Sequence, residues 1–203
     1  IVEGEVSVSG VGDRTGGEMV VIGQTIDIGP KARLSADGSE GGSIIIGSVE
    51  DTHAVTIGGK VRANGSSGNG GAVMVVGDST SVLSVGSTGR IEATGAVNGG
   101  LVTMQGGSVH AALGSVIDAG GGVNGGTVAI IGQDPNGVVN MDGRVGATGG
   151  TGIGGVVNVT GAGDVNIGSG AVMDVEGATG GLVSIDGAGT TMLEGTVGAV
   201  GNA

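Results

Sequence analysis

Residues 89–104 read GRIEATGAVNGGLVTM, and residues 115–130 read SVIDAGGGVNGGTVAI, so the second stretch repeats the pattern of the first. The Gly-Gly pair within this unit recurs along the chain, at 16/17, 41/42, 70/71, 99/100, 125/126, 154/155 and 180/181. The mean spacing of the pairs is about 27 residues, and periods of about 20–50 residues are typical of solenoids and related repeat folds.

Each copy of the repeat contains three short segments with a β-strand pattern, separated by glycine. The first segment follows the glycine pair and is apolar at alternate positions, as in Val102 and Met104. The second segment has the form apolar-polar-apolar-Gly, and the third has a small residue at its second inward position, as in Ile91-Glu92-Ala93. Alternation with a period of two predicts strands with one buried face.

Three such strands cannot bury their apolar faces in a flat sheet, but they can do so by coiling. We therefore predict an all-β fold, a right-handed parallel β-helix (β-solenoid) with three short strands per turn, about 27 residues per turn and about seven turns. We expect the glycines to occupy corners where the backbone adopts conformations that other residues avoid. The pattern reaches both ends of the sequence, so we expect residues 1–203 to form a single solenoid segment of a longer array.

The composition fits a thin, repeated core. The 203 residues include 52 glycines and no Phe, Tyr, Trp or Cys, and 13% are charged. A mean hydropathy of +0.37 and the regular β-branched residues argue against disorder. The formal net charge of −12 predicts that the chain binds neither nucleic acid nor anionic membranes. No apolar stretch is long enough to predict a membrane span.

The sequence contains no pattern that predicts catalysis. His53 and His110 are the only histidines, too few for a metal cluster, and we expect both at the surface or at corners. Residues 150–155 match a dinucleotide-binding glycine pattern without the strand-to-helix context that this site needs. Scattered turn carboxylates, such as Asp37 and Asp78, fit solvated charge better than a calcium site. We therefore predict no catalytic, cofactor-binding or metal-binding residues, and a protein that is not an enzyme.

The outward positions of the first segment suggest a surface for assembly. One column is predicted to run through Val20, Ile45, Met74, Thr103, Ala129, Asn158 and Ser184, and it is apolar over its first three turns. Exposed apolar patches often mark interaction sites. The candidate strip for lateral assembly comprises Val20, Ile22, Ile45, Met74, Val76 and Ile131. The alternatives are tolerated exposure or cover by a turn.

The third segment holds most of the basic residues, and we interpret their mixture with acidic residues as a solvated face that discourages edge pairing. The alternative is a specific anion site. These basic residues are Arg33, Lys60, Arg62, Arg90 and Arg144.

The units at residues 89–104 and 115–130 resemble the repeats of filamentous-haemagglutinin-type bacterial exoproteins. The resemblance implies a right-handed β-helix, two-partner secretion across the outer membrane, and a role in adhesion or biofilm matrix. We therefore expect an extracellular, cell-surface stalk or fibre that associates with itself into filaments and contacts extracellular polysaccharide. The alternative is a β-helical carbohydrate-active or carbohydrate-binding protein whose site lies outside this segment.

Overall fold

The computed structural model describes residues 1–201 as a stack of coils, each made of three short strands. In chain order the strands are β1 (Glu5–Ser7), β2 (Glu18–Val21), β3 (Thr25–Ile28), β4 (Arg33–Ser35), β5 (Ser43–Gly47), β6 (Ala54–Ile57), β7 (Lys60–Arg62), β8 (Ala72–Val76), β9 (Val82–Val85), β10 (Arg90–Glu92), β11 (Leu101–Gly106), β12 (Ser108–Ala111), β13 (Val116–Asp118), β14 (Thr127–Gly132), β15 (Val138–Met141), β16 (Arg144–Gly146), β17 (Val156–Gly161), β18 (Asp164–Ile167), β19 (Val172–Asp174), β20 (Leu182–Gly187), β21 (Thr191–Leu193) and β22 (Thr196–Gly198). No helix occurs within residues 1–201, and so none there could cross a membrane.

The strands form three parallel sheets, one for each segment of the repeat. The first sheet has seven strands in the order β2-β5-β8-β11-β14-β17-β20, and the second has seven in the order β3-β6-β9-β12-β15-β18-β21. The third sheet has eight, in the order β1-β4-β7-β10-β13-β16-β19-β22. Each strand therefore pairs with its equivalent one coil away, and the predicted β-solenoid of about seven turns is confirmed.

The core consists of inward-facing ladders that run along the stack. In the first sheet, Val102 lies in register between Val73 and Val128, and all three are fully buried. In the third sheet, Ile117 lies between Ile91 and Val145 in the same way. The small residue predicted after the third-segment strand is buried in five coils, as Ala36, Ala63, Ala93, Ala119 and Ala147, while valine takes this position after β1 and β19. Small and medium side chains thus fill a core that contains no aromatic ring.

The glycine pairs lie where successive coils approach each other most closely. A Cβ atom on Gly70 would overlap the carbonyl oxygen of Ala93 in the next coil, and one on Gly71 would overlap that of Gly42 in the preceding coil. The pairs at 41/42, 99/100, 125/126, 154/155 and 180/181 make equivalent approaches, whereas a Cβ on Gly17 in the first coil would lie 3.0 Å from Val8 O. Backbone conformation is not the reason, since within residues 1–201 positive φ occurs at Gly12, Gly47 and Gly114, outside the pairs. The prediction that these glycines adopt backbone conformations closed to other residues is therefore wrong for the pairs. Glycine is required there because the neighbouring coil leaves no space for a side chain.

The outermost strands follow the same pattern as the others but have a neighbour on one side only. β1 pairs with β4, and β22 pairs with β19, as their third-segment sequences predicted. Their inward residues are correspondingly more accessible, with Val6 45% and Val197 39% exposed.

Candidate functional site

The apolar strip lies on the outer face of the first sheet. The register places Val20, Ile45 and Met74 in one column, which continues through Thr103, Ala129, Asn158 and Ser184 as predicted. Val76 and Ile131 belong to the adjacent column, separated there by Gln105. The six residues of the strip therefore occupy neighbouring columns of one sheet, and Ile22 follows directly after β2.

Exposure is uneven along this apolar strip. Val20 is 50% and Ile22 66% exposed, whereas Ile45, Met74 and Ile131 are half-buried. Val76 is buried, at 9% exposure. The most accessible apolar surface of the strip is therefore at its first coil, and its part in lateral assembly stays a prediction.

The third sheet carries a column of positive charge. Arg33, Lys60 and Arg90 occupy the same register position in β4, β7 and β10. We call these three residues the basic column. Its neighbour on β1 is Glu5, and its neighbour on β13 is Val116. Like charges that stand directly opposite each other weaken strand pairing, so the column is unfavourable to the sheet unless an anion compensates it.

Other basic residues of the same sheet have partners in the protein. Arg62 Nη2 lies 2.6 Å from Asp37 Oδ2, and Arg144 Nη2 lies 2.9 Å from Asp174 Oδ2. Within residues 1–201 these are the only arginine or lysine side chains that lie within 4.0 Å of a carboxylate. The basic column is thus a set of cations to which residues 1–201 supply no ion pair.

Acidic residues gather farther along the sheet, where Glu92 and Asp118 are adjacent in register. Burial raises the pKa of Asp118, and the negative charges of Glu92 and Asp174 act in the same direction. The hydrogen bond that Gly120 N donates to Asp118 Oδ1 at 2.9 Å opposes the shift, as does Arg144. The acidic residues Glu92, Asp118 and Asp174 of the third sheet therefore lie in the column next to the basic column.

A shallow groove lies on the second sheet. Ser84, His110, Asn140 and Asn166 form one outward column across β9, β12, β15 and β18. Asn166 Nδ2 donates to Asn140 Oδ1 at 3.0 Å, and Asn140 Nδ2 lies 3.2 Å from His110 Nδ1. The groove has a volume of about 590 Å³ and is also lined by Asp142. Its polar side chains bond to one another between coils, which stabilises the stack.

The turn carboxylates considered as weak calcium ligands serve as local hydrogen-bond acceptors. Asp78 Oδ1 accepts bonds from Thr80 N at 2.7 Å and Thr80 Oγ1 at 2.8 Å, and these bonds lower the pKa of Asp78. Asp37 Oδ1 accepts a bond from Asn64 N in the next coil at 2.8 Å. In the described part of the chain, no group of three or more His, Cys, Asp or Glu side chains is placed to hold a metal ion.

The two histidines have different surroundings. His53 is exposed, as expected, and its Nδ1 lies 3.4 Å from Asp78 Oδ2. His110 is half-buried within β12 rather than at a corner.

The members of the basic column were predicted to lie on a solvated face, but their alignment in one column was not predicted. The signal was present, because each member directly precedes an inward residue of the third segment: Leu34, Val61 or Ile91. Comparison of the chain with protein-family models, with curated proteins and with solved structures gives no match. Function is therefore inferred from these surfaces and from the stack that supports them.

Proposed function

We propose that this chain is a structural rod, an extracellular stalk or fibre segment of a bacterial surface or matrix protein, rather than a catalyst. The observation that supports the proposal best is the unbroken register of the stack. In the third sheet, every strand from β1 to β22 pairs with its equivalent in the next coil. With about 4.8 Å between neighbouring strands, eight strands extend on the order of 35 Å along the axis.

Such a stack resists bending because adjacent coils are joined on every side. Besides the three sheets, parallel bridges at one corner link Gly38 to Gly65, Gly65 to Gly95, and Gly95 to Gly121. Bending the rod would lengthen hydrogen bonds on one side and compress close-packed ladders on the other. This resistance to bending suits a spacer that holds another part of a protein away from the surface to which it is anchored.

The extracellular and adhesive parts of the proposal depend on the resemblance of residues 89–104 and 115–130 to exoprotein repeats. The proposed partners are other copies of the chain, through the apolar strip, and extracellular polysaccharide. Nucleic acid and membrane are not expected partners, because the net charge of −12 repels other polyanions and anionic surfaces.

Removing exactly one coil tests whether the chain works as a modular rod. Deletion of residues 101–126 takes out β11, β12 and β13 and joins Gly100 to Thr127, so β14 follows β10 in the correct order. We expect a folded protein whose long dimension is shorter by about 4.8 Å in small-angle X-ray scattering. The control deletes residues 101–113, which removes β11 and β12 but keeps β13. We expect this variant to lose its circular dichroism signal for β structure.

Electron microscopy tests the biological part of the proposal. Gold-labelled antibodies against the folded chain, applied to the source cells, should mark fibres outside the cell surface. A label confined to the cell interior would refute the stalk, and so would cleavage of a polysaccharide by the purified chain, measured as newly formed reducing ends.

A further inference from the structure

The basic column places one cation on each of three successive coils. Parallel pairing sets the spacing of these coils at about 4.8 Å, well within the roughly 8 Å Debye length at physiological ionic strength. Lys60 is exposed, while Arg33 and Arg90 are half-buried. The three like charges therefore stand next to one another, and an anion bound along the column would reduce their repulsion.

The chain neutralises other cations of this sheet but leaves the column open. Arg62 and Arg144 have carboxylate partners at 2.6 and 2.9 Å, respectively. No carboxylate of residues 1–201 comes within 4.0 Å of the nitrogens of the column. Glu5 precedes the column in register on β1, and Val116 follows it on β13. These two neighbours limit the column to three positions.

We infer that the basic column binds a linear polysaccharide that carries one carboxylate on each sugar, a polyuronate. Its chain would lie along the solenoid axis across β4, β7 and β10, with carboxylates facing the three cations. The planar guanidinium groups of Arg33 and Arg90 suit paired hydrogen bonds to a carboxylate, and Lys60 supplies a point charge between them. The inference rests on the proposed function in that it specifies the class of the proposed polysaccharide partner, whereas the rod depends on the stack alone.

Charge density and composition favour a polyuronate over other polyanions. Double-stranded nucleic acid carries far more charge per unit length, and proteins that bind single strands stack the bases on aromatic rings, which this sequence lacks entirely. An anionic membrane would face the whole acidic surface of a chain with net charge −12, whereas a single extended polymer can follow one column.

The test measures binding of polygalacturonate oligomers to the purified chain by titration calorimetry. One variant combines Arg33→Gln, Lys60→Gln and Arg90→Gln. The matched control combines Arg14→Gln, Arg62→Gln and Arg144→Gln, so both proteins lose the same three positive charges. We expect the column variant to bind about tenfold more weakly or worse, and the control to lose less than about threefold. Fully methyl-esterified oligomers, which lack the charge, should not bind.

Three results would overturn the inference: equal losses in the two variants, equal binding of the methyl ester, or binding of dextran sulfate or single-stranded DNA without binding of polygalacturonate. If the triple column variant does not fold, Arg33→Lys with Arg90→Lys keeps the charge and removes the planar groups. That variant should bind several-fold more weakly, and an unchanged affinity would contradict the assigned contacts. If these binding tests fail but the coil deletion shortens the protein as expected, the polyuronate inference is refuted and the rod proposal is still supported.

Discussion

Replacing Gly71 by alanine should destabilise the stack far more than the same change at Gly86. A Cβ on Gly71 would lie closer than 3.0 Å to the carbonyl oxygen of Gly42 and to the backbone of Gly41, a separation that real Cβ atoms do not show. Because every obstacle is a backbone atom of the preceding coil, no side chain can turn away to make room. The two coils must separate at this corner.

The cost follows from the contacts that separation weakens. Gly71 N donates to Ala63 O at 2.7 Å, and Ala72 N donates to Gly42 O at 2.9 Å. Each bond contributes about 0.5–1.5 kcal/mol net, and overpacking of a tight site costs about 1–3 kcal/mol. Alanine offsets about 0.4–1 kcal/mol of this by restricting the unfolded chain. The free energy of unfolding should therefore fall by about 3 kcal/mol, and for a chain of this size the Tm by about 6–12 °C.

Urea denaturation followed by far-ultraviolet circular dichroism measures this loss, and hydrogen exchange locates it. The Gly86→Ala control introduces a Cβ whose nearest neighbour, Ile57 O, is 3.7 Å away, which is ordinary contact. We expect the control to stay within about 0.5 kcal/mol of the parent protein. Faster exchange in Gly71→Ala should be confined to β5, β8 and their corner. If the two variants were equally stable, the steric explanation of the glycine pairs would be refuted.

Three further predictions address the core, the acidic face and the apolar strip. Ile117→Ala removes a fully buried ladder residue and should cost about 2–5 kcal/mol in urea denaturation, and a loss below about 1 kcal/mol would contradict the ladder. Asp118→Asn should raise the Tm at pH 7: because burial raises the pKa of Asp118, its ionised form is penalised in the folded chain, and the gain should vanish below the ordinary value of 3.8. Melting curves of both proteins from pH 3 to 7 measure this change. A gain in Tm that does not depend on pH would contradict the assigned burial penalty of Asp118. Ile45→Asp with Met74→Asp should abolish lateral self-association in sedimentation velocity, and unchanged association would exclude the strip.

The coil and its three strands could be predicted because their signals are local. Val102 and Met104 alternate directly after a glycine pair, and Ile91-Glu92-Ala93 identifies a third-segment strand without knowledge of any distant residue. Even the outermost strands, β1 and β22, follow from that signature. Local patterns of this kind recur in each coil, so the register between coils follows once the repeat is aligned.

Contacts between coils at the corners and on the outer faces were not predicted. The pair of Arg62 and Asp37 joins residues 25 positions apart, and Asn140 meets His110 across 30 positions. Which of two outward carboxylates a guanidinium reaches depends on side-chain directions that alternation does not specify. Val76 illustrates the same point, since its position in β8 predicted exposure but the residue is buried. The residue types on the candidate surfaces could therefore be predicted from the sequence, but the contacts between their side chains could not.

Inward and outward residues of the solenoid are constrained differently. Inward residues determine stability, and outward residues are available for recognition. An inward residue such as Ile117 packs between equivalent residues on both sides, so a change there is felt by two neighbouring coils. An outward residue such as Lys60 has solvent on its free side and can change without disturbing the ladder. The apolar strip lies on the first sheet and the basic column on the third, at overlapping heights along the axis. Because different faces of one stiff rod present them, lateral packing of chains through the first sheet would leave the third sheet accessible to a polysaccharide.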